Sequence, residues 1–191
     1  MNDKKTIYLF ANWKMYLNLS ESIGLAEFYL EQTKNLSANF SVAIFSGALA
    51  FDQVSRILGD SKIKIGAQNC YWVDQGGYTG EISARMYADL GCQYVLVGHS
   101  ERRHQFGESL EETRKKIEAI LKNGLTPVLC VGETNVERDE GMAKEVVFRQ
   151  IEAAYQNLDW PLSVKAIIAY EPVWSIGTGL TPCLRDVIAL Q

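Results

Sequence analysis

The 191-residue chain lacks the features that mark several large classes of protein. Its four cysteines, Cys70, Cys92, Cys130 and Cys183, lie far apart with no C-x-x-C pair. That argues against a disulfide framework or a zinc site, and for a reducing, cytoplasmic setting. Lysine and arginine number 19 against 23 aspartates and glutamates, a net charge of −4, so the basic face that nucleic acid requires is missing. The most charged cluster, Glu101 to His104, is short and mixed in sign. No apolar run approaches the ~18 residues that would cross a bilayer, so no membrane partner is expected. Met1 to Thr6 is polar and leads directly into a strand-like run, from which we expect no secretory signal. There is no low-complexity or linker-like stretch either. With 47% hydrophobic residues the chain can bury a sizeable core, and a single domain over residues 1–191 is expected.

What the sequence does contain is an alternation, repeated six times, of short apolar runs and longer helix-like segments. The runs are Ile7–Ala11, Val42–Phe45, Ile63–Gly66, Tyr94–Val97, Val128–Val131 and Ala166–Tyr170. Each is nearly all apolar, the pattern of a parallel strand buried on both faces. Helices are expected at about Ser20–Lys34, Ala50–Leu58, Glu81–Leu90, Leu110–Asn123 and Glu140–Gln156. Ser109 with Glu112 three residues later spells a capping box, and Gly124 is placed to end that helix in a left-handed turn. Thr181-Pro182 has the form of a cap and first residue for a sixth helix. A βαβα series of this kind is an α/β protein, either an open doubly wound sheet or a closed barrel. In both, function gathers where the strands end.

The residues just after those strands form an unusual set: Asn12, Trp13 and Lys14; Gln68 and Asn69; Gly98, His99, Ser100 and Glu101; Gly132 and Glu133; Glu171. A lysine, a histidine and several carboxylates around one rim are an inventory for proton transfer. Taken singly, each has a plainer reading. Lys14 could be a solvated side chain and His99 a hydrogen-bonded structural residue, while Glu171 could be half of a structural ion pair; His104 belongs to the surface. After Glu171, Gly177-Thr178-Gly179 lies between Pro172 and Pro182. Rigid ends around a glycine-rich centre suit a lid that closes over an anion with backbone N–H groups.

Six segments, in order, resemble the triosephosphate isomerase family. They are Asn12-Trp13-Lys14, Gly66-Ala67-Gln68-Asn69, Tyr78-Thr79-Gly80-Glu81, Gly98-His99-Ser100-Glu101-Arg102-Arg103, Cys130-Val131-Gly132-Glu133-Thr134 and Tyr170-Glu171-Pro172-Val173-Trp174, continuing to Gly179. The resemblance runs from near residue 7 to about residue 182. It implies a TIM (β/α)8 barrel and the interconversion of D-glyceraldehyde 3-phosphate and dihydroxyacetone phosphate without metal or organic cofactor. It implies roles as well: Glu171 as the base, His99 as a neutral electrophile, Lys14 as the cation beside the enediolate, and Asn12 as a hydrogen-bond donor. Glu101 would hold Lys14, and Gly177 would offer its N–H to the phosphate. Cys70–Thr79 resembles the family's long loop that enters a neighbouring subunit, with Thr79 near the partner's site, which implies a homodimer.

Two departures stand out. Leu180-Thr181-Pro182 closes the lid segment where the family more often has lysine first and alanine last. The other is length: a full barrel has eight strands and ~250 residues, whereas six βα units are read here. We therefore expect a truncated barrel with open edges on strands one and six, weak phosphate grip and little activity of its own. The alternative to an isomerase is an inactive remnant that only binds or dimerises. A different phosphate-sugar enzyme on a similar barrel leaves the lid and the strand-four motif unexplained together.

Overall fold

The computed structural model describes residues 5–158 and 166–188. Met1–Lys4, the linking residues 159–165 and the last three residues, all within the expected single domain, lie outside the described residues. Six strands form one sheet in the order β1-β2-β3-β4-β5-β6: β1 Ile7–Asn12, β2 Phe40–Ser46, β3 Ile63–Ala67, β4 Tyr94–Val97, β5 Thr126–Val131 and β6 Ile167–Tyr170. Every neighbouring pair is parallel. The sequential order excludes the doubly wound alternative, whose order reverses partway, and is that of a (β/α) barrel with six strands among the described residues.

Between the strands run α1 Leu19–Thr33, α2 Phe51–Leu58, α3 Ala84–Asp89, α4 Ser100–Gln105, α5 Leu110–Lys122, α6 Asn135–Asp139 and α7 Ala143–Tyr155, with α8 Leu184–Ile188 after β6. The expected capping box is present at Ser109 and Glu112, and Gly124 takes φ 72° after α5. Three helix expectations need correction, each for a local reason, and one further helix is present. The third helix is shorter than Glu81–Leu90, because Ser83 accepts the Met86 N–H and caps it there. The segment Glu140–Gln156 is not one helix: Thr134 and Glu137 box the start of α6, and Gly141 at φ 74° separates it from α7. Thr181-Pro182 does not open the last helix, whose first recorded turn runs from Val187 N–H to Cys183 O. The helix α4 went unforeseen, since only six residues separate His99 from Phe106.

Strand residues alternate between two cores. Val42, Ile44, Ile63, Ile65, Val95, Val97, Leu129 and Val131 face the helices, against Phe51 and Val54 of α2, Tyr87 of α3 and Ile117 and Ile120 of α5. The opposite face carries Ala43, Phe45, Leu96, Val128 and Cys130, joined by Phe10, Tyr94, Ile167 and Ala169. The expectation that all six strands are buried on both faces holds for the inner four apart from exposed Lys64 in β3. In β1 Ile7, Tyr8 and Leu9 are each about two-fifths exposed, and in β6 Ile168 is half-exposed. Among the described residues no helix is long and apolar enough to cross a membrane. Burial pushes the thiols of Cys70 and Cys92 up to about 12, which leaves them unreactive.

Candidate active site

Lys14 lies two residues past β1 with φ 50°, a left-handed conformation that costs a side-chain-bearing residue about 1–3 kcal/mol. Its neighbours hold it there. The Lys14 N–H donates to Asn12 Oδ1 at 2.9 Å, and Gln68 Nε2, past β3, donates to both Lys14 O and Phe45 O at 2.9 Å. The Trp13 N–H reaches the same Phe45 carbonyl at 3.1 Å. Three strand ends are thus tied at one point, and the lysine is aimed inward. Its ammonium meets Glu101 Oε1 at 2.8 Å, with both side chains partly exposed.

Glu101 stands in the first turn of α4, and His99 caps that helix. The Glu101 N–H donates to His99 Nδ1 at 3.3 Å. Glu101 Oε2 lies 3.5 Å from the same nitrogen, a contact that would require a proton on Nδ1. The backbone donor is nearer, and with Nδ1 as its acceptor a neutral ring would carry its proton on Nε2. That Nε2 faces Glu171 Oε2 at 3.1 Å, and the other carboxylate oxygen accepts the Ser100 N–H at 2.6 Å. Glu171 is mostly buried, as expected from its place after an apolar strand. Its own N–H joins Val131 O at 2.8 Å, and Gly132 fits against it so closely that a Cβ there would lie 2.0 Å from Glu171 O.

The structure brings Lys14, Glu101, His99 and Glu171 into one continuous chain of contacts. It places Asn12 as the acceptor that shapes the Lys14 turn. A cleft of about 550 Å³ opens beside them, lined by Asn12, Lys14, Gln68, Asn69, His99 and Glu101 and flanked by apolar side chains that include Met15, Leu49 and Phe106. Glu171 borders His99 from outside that lining. Gly177 stands apart from it too, exposed in the lid segment at φ 72° with open space around its Cα. The two carboxylate oxygens of Glu171 are both engaged, so Glu171 would have to turn to reach a ligand in the cleft.

A second cluster anchors the start of the glycine-containing segment after β6. Glu133 is fully buried and accepts from Tyr170 Oη at 3.0 and 3.1 Å and from Trp174 Nε1 at 2.8 Å. The Val173 N–H donates to Glu133 O at 3.0 Å, and the Arg138 guanidinium lies 3.9 Å from the Trp174 ring centroid. A buried carboxylate left without these donors would be costly, which makes the Tyr170–Trp174 segment and the β5 rim interdependent. The strand-end pattern points to Gln68, Ser100 and Glu133, but no sequence signal assigns their partners. Burial pulls the Arg103 guanidinium below its ordinary value, with the Glu171 charge opposing. Sequence reasoning leaves Arg103 in a short cluster of mixed sign.

The sequence that folds into this sheet also matches known proteins. A family model described as triosephosphate isomerase matches residues 7–189. The chain belongs to the triosephosphate isomerase family. It is 40% identical over 175 residues to the triosephosphate isomerase of Thermoanaerobacter pseudethanolicus, covering 92% of this chain and 70% of that one. It is 43% identical over 178 residues to that of Trichodesmium erythraeum, covering 93% and 72%. With Dictyoglomus thermophilum the identity is 42% over 169 residues, covering 88% and 68%.

Proposed function

We propose that the chain is built to interconvert D-glyceraldehyde 3-phosphate and dihydroxyacetone phosphate through an enediolate, the isomerase step of glycolysis and gluconeogenesis, in the cytoplasm and without metal or organic cofactor. The observation that carries this is the chain Lys14–Glu101–His99–Glu171 at contacts of 2.8 to 3.3 Å, presented by elements that follow β1, β4 and β6. The proton beside a carbonyl is weakly acidic, so its removal needs a placed carboxylate and preorganised donors where negative charge develops. Glu171 turns from Ser100, takes the proton from the carbon beside the carbonyl and returns it to the neighbouring carbon, which regenerates its carboxylate. His99 donates its Nε2–H to the substrate oxygen, Lys14 sets a positive charge beside it with Asn12 as a further donor, and Glu101 holds the ammonium in place. The lid from Pro172 to Pro182 closes over the phosphate with Gly177 N–H, a device known in this family.

The same reading makes the protein a homodimer through the Cys70–Thr79 loop. Gln75–Thr79 is exposed at its tip, and Met15, Tyr16, Leu49 and Phe106 offer an exposed apolar rim beside the cleft. The test is turnover of the two triose phosphates, with Glu171→Gln as the control. Turnover that falls ~100- to 10,000-fold in the variant supports the proposal. A folded chain that binds substrate yet shows no turnover favours the inactive, binding-only reading.

A further inference from the structure

His99 and Glu171 come from strands that are not neighbours. His99 follows β4, Glu171 follows β6, and β5 runs between them. Their 3.1 Å contact is therefore set by two spacings at the rim, β4 to β5 and β5 to β6. The second is fixed by backbone: Cys130 pairs with Ala169, Val131 with Tyr170, and the Glu171 N–H continues the ladder to Val131 O at 2.8 Å. The first is not. The last β4–β5 pair is Val97 with Leu129, and one step further Gly98 and Cys130 stand side by side beyond the ladder. Gly98 at φ 66° is in a conformation that strains any side chain, and a Cβ there would press on Thr113 Cγ2 at 3.2 Å.

One side chain spans that gap. Arg103 Nη1 donates to Cys130 O at 2.8 Å and also to Gly98 O. A single cationic donor between two carbonyl dipoles replaces the missing rung. Its Nε and Nη2 are buried and find no acceptor among the described residues, so the side chain is held there against a desolvation cost. Such a placement is hard to account for as a solvated charge.

We propose that Arg103 is a positioning residue that staples the ends of β4 and β5 and so sets the distance from His99 to Glu171. The chemistry served is the proton transfer proposed above; the geometry does not depend on it. Arg103 touches no substrate in this role. It acts by holding Gly98 O, hence His99, against the strand to which Glu171 is hydrogen-bonded.

The chain has two histidines, which makes the imidazoles a clean probe. Nitrogen-15 spectra of the unsubstituted protein should show His99 as one fixed Nε2–H tautomer, and Arg103 Nη protons in slow exchange with hydrogen-bond scalar coupling to the Gly98 and Cys130 carbonyls. In Arg103→Gln the His99 signals should shift and average between tautomers, while those of exposed His104 stay in place. Arg103→Lys, which keeps the cation, should restore part of the effect. Where turnover is measurable, kcat should fall by up to ~100-fold with KM nearly unchanged, the scale of a misplacement of about 1 Å. His99 signals unmoved in Arg103→Gln would overturn the proposal. So would missing couplings in the unsubstituted protein, a measurement that holds even if the variants fail to fold. A shifted His99 in a protein without turnover would support the staple and count against the isomerase reading instead.

Discussion

Strand β5 is buried from Pro127 to Val131, whereas β1 leaves Ile7, Tyr8 and Leu9 at 43%, 40% and 43% exposure. Both are short apolar runs, so composition does not separate them. Position does: β5 has β4 and β6 on its two sides, while β1 stands at one end of the sheet order. The comparison extends to the candidate site. His99 and Glu133 follow inner strands, while Lys14 and Glu171 follow the end ones. Those two are secured from inside the sheet, Lys14 by Gln68 and Glu101 and Glu171 by Ser100 and His99. Side-chain ties do at the ends what a second ladder does in the middle.

The largest effect expected from this contrast is on stability. Ile120→Ala, on α5 against the inner strands and fully buried, should cost about 2–5 kcal/mol in urea denaturation. Ile168→Ala at the half-exposed end strand should cost less than about 1 kcal/mol; equal costs would erase the distinction between the two regions. Next comes Gly132→Ala, whose new Cβ would meet the Glu171 carbonyl at 2.0 Å and force the β5 and β6 ends apart. We expect kcat to drop ~100-fold with the far-ultraviolet circular dichroism preserved. Gly124→Ala, a left-handed glycine with open space around it, should leave turnover alone and lose only about 1 kcal/mol of stability.

Smaller effects sharpen the picture. Trp174→Phe removes one of the donors to buried Glu133 and should destabilise by about 1–2 kcal/mol, read by thermal unfolding. Tyr170→Phe in the same background should then cost more than it does alone, since the two hydroxyl and indole donors share one acceptor. The smallest effect is at the loop. Lys122 and Asn123 hydrogen-bond Asp74 and hold its carboxyl below its ordinary value of 3.8. A depressed carboxylate contributes its tie above the unfolded-state pKa and loses it as pH falls through the folded one. The Asn123 side-chain amide signals should therefore move only below pH ~4. In Asp74→Asn they should be flat across that range.

Parts of this architecture are legible without coordinates, others not. The strand at Tyr94–Val97 and the capping box at Ser109 depend on residues within four positions of one another, and both stand where the pattern places them. The break at Gly141 and the cap at Ser83 are equally local, yet Glu81–Leu90 and Glu140–Gln156 read as whole helices because their apolar periodicity continues through the turns. The rim residues can be named from their place after each strand. Their partners cannot, because nothing near Arg103 in the chain distinguishes it from a solvated arginine.

The sequence by itself determined that this is an α/β chain of repeated βα units with polar groups after each strand, together with its family likeness. Those features rest on side-chain period, capping chemistry and residue order, all of which act over short spans. Only the tertiary structure decided that Lys14 meets Glu101 across 87 residues, that Ser100 meets Glu171 across 71, and that Arg103 reaches Cys130 across 27. Contacts at such separations are set by which strand lies beside which and by how far each ladder runs. The burial that makes Glu133 an anchor and Arg103 a staple appears only when the helices close over the sheet.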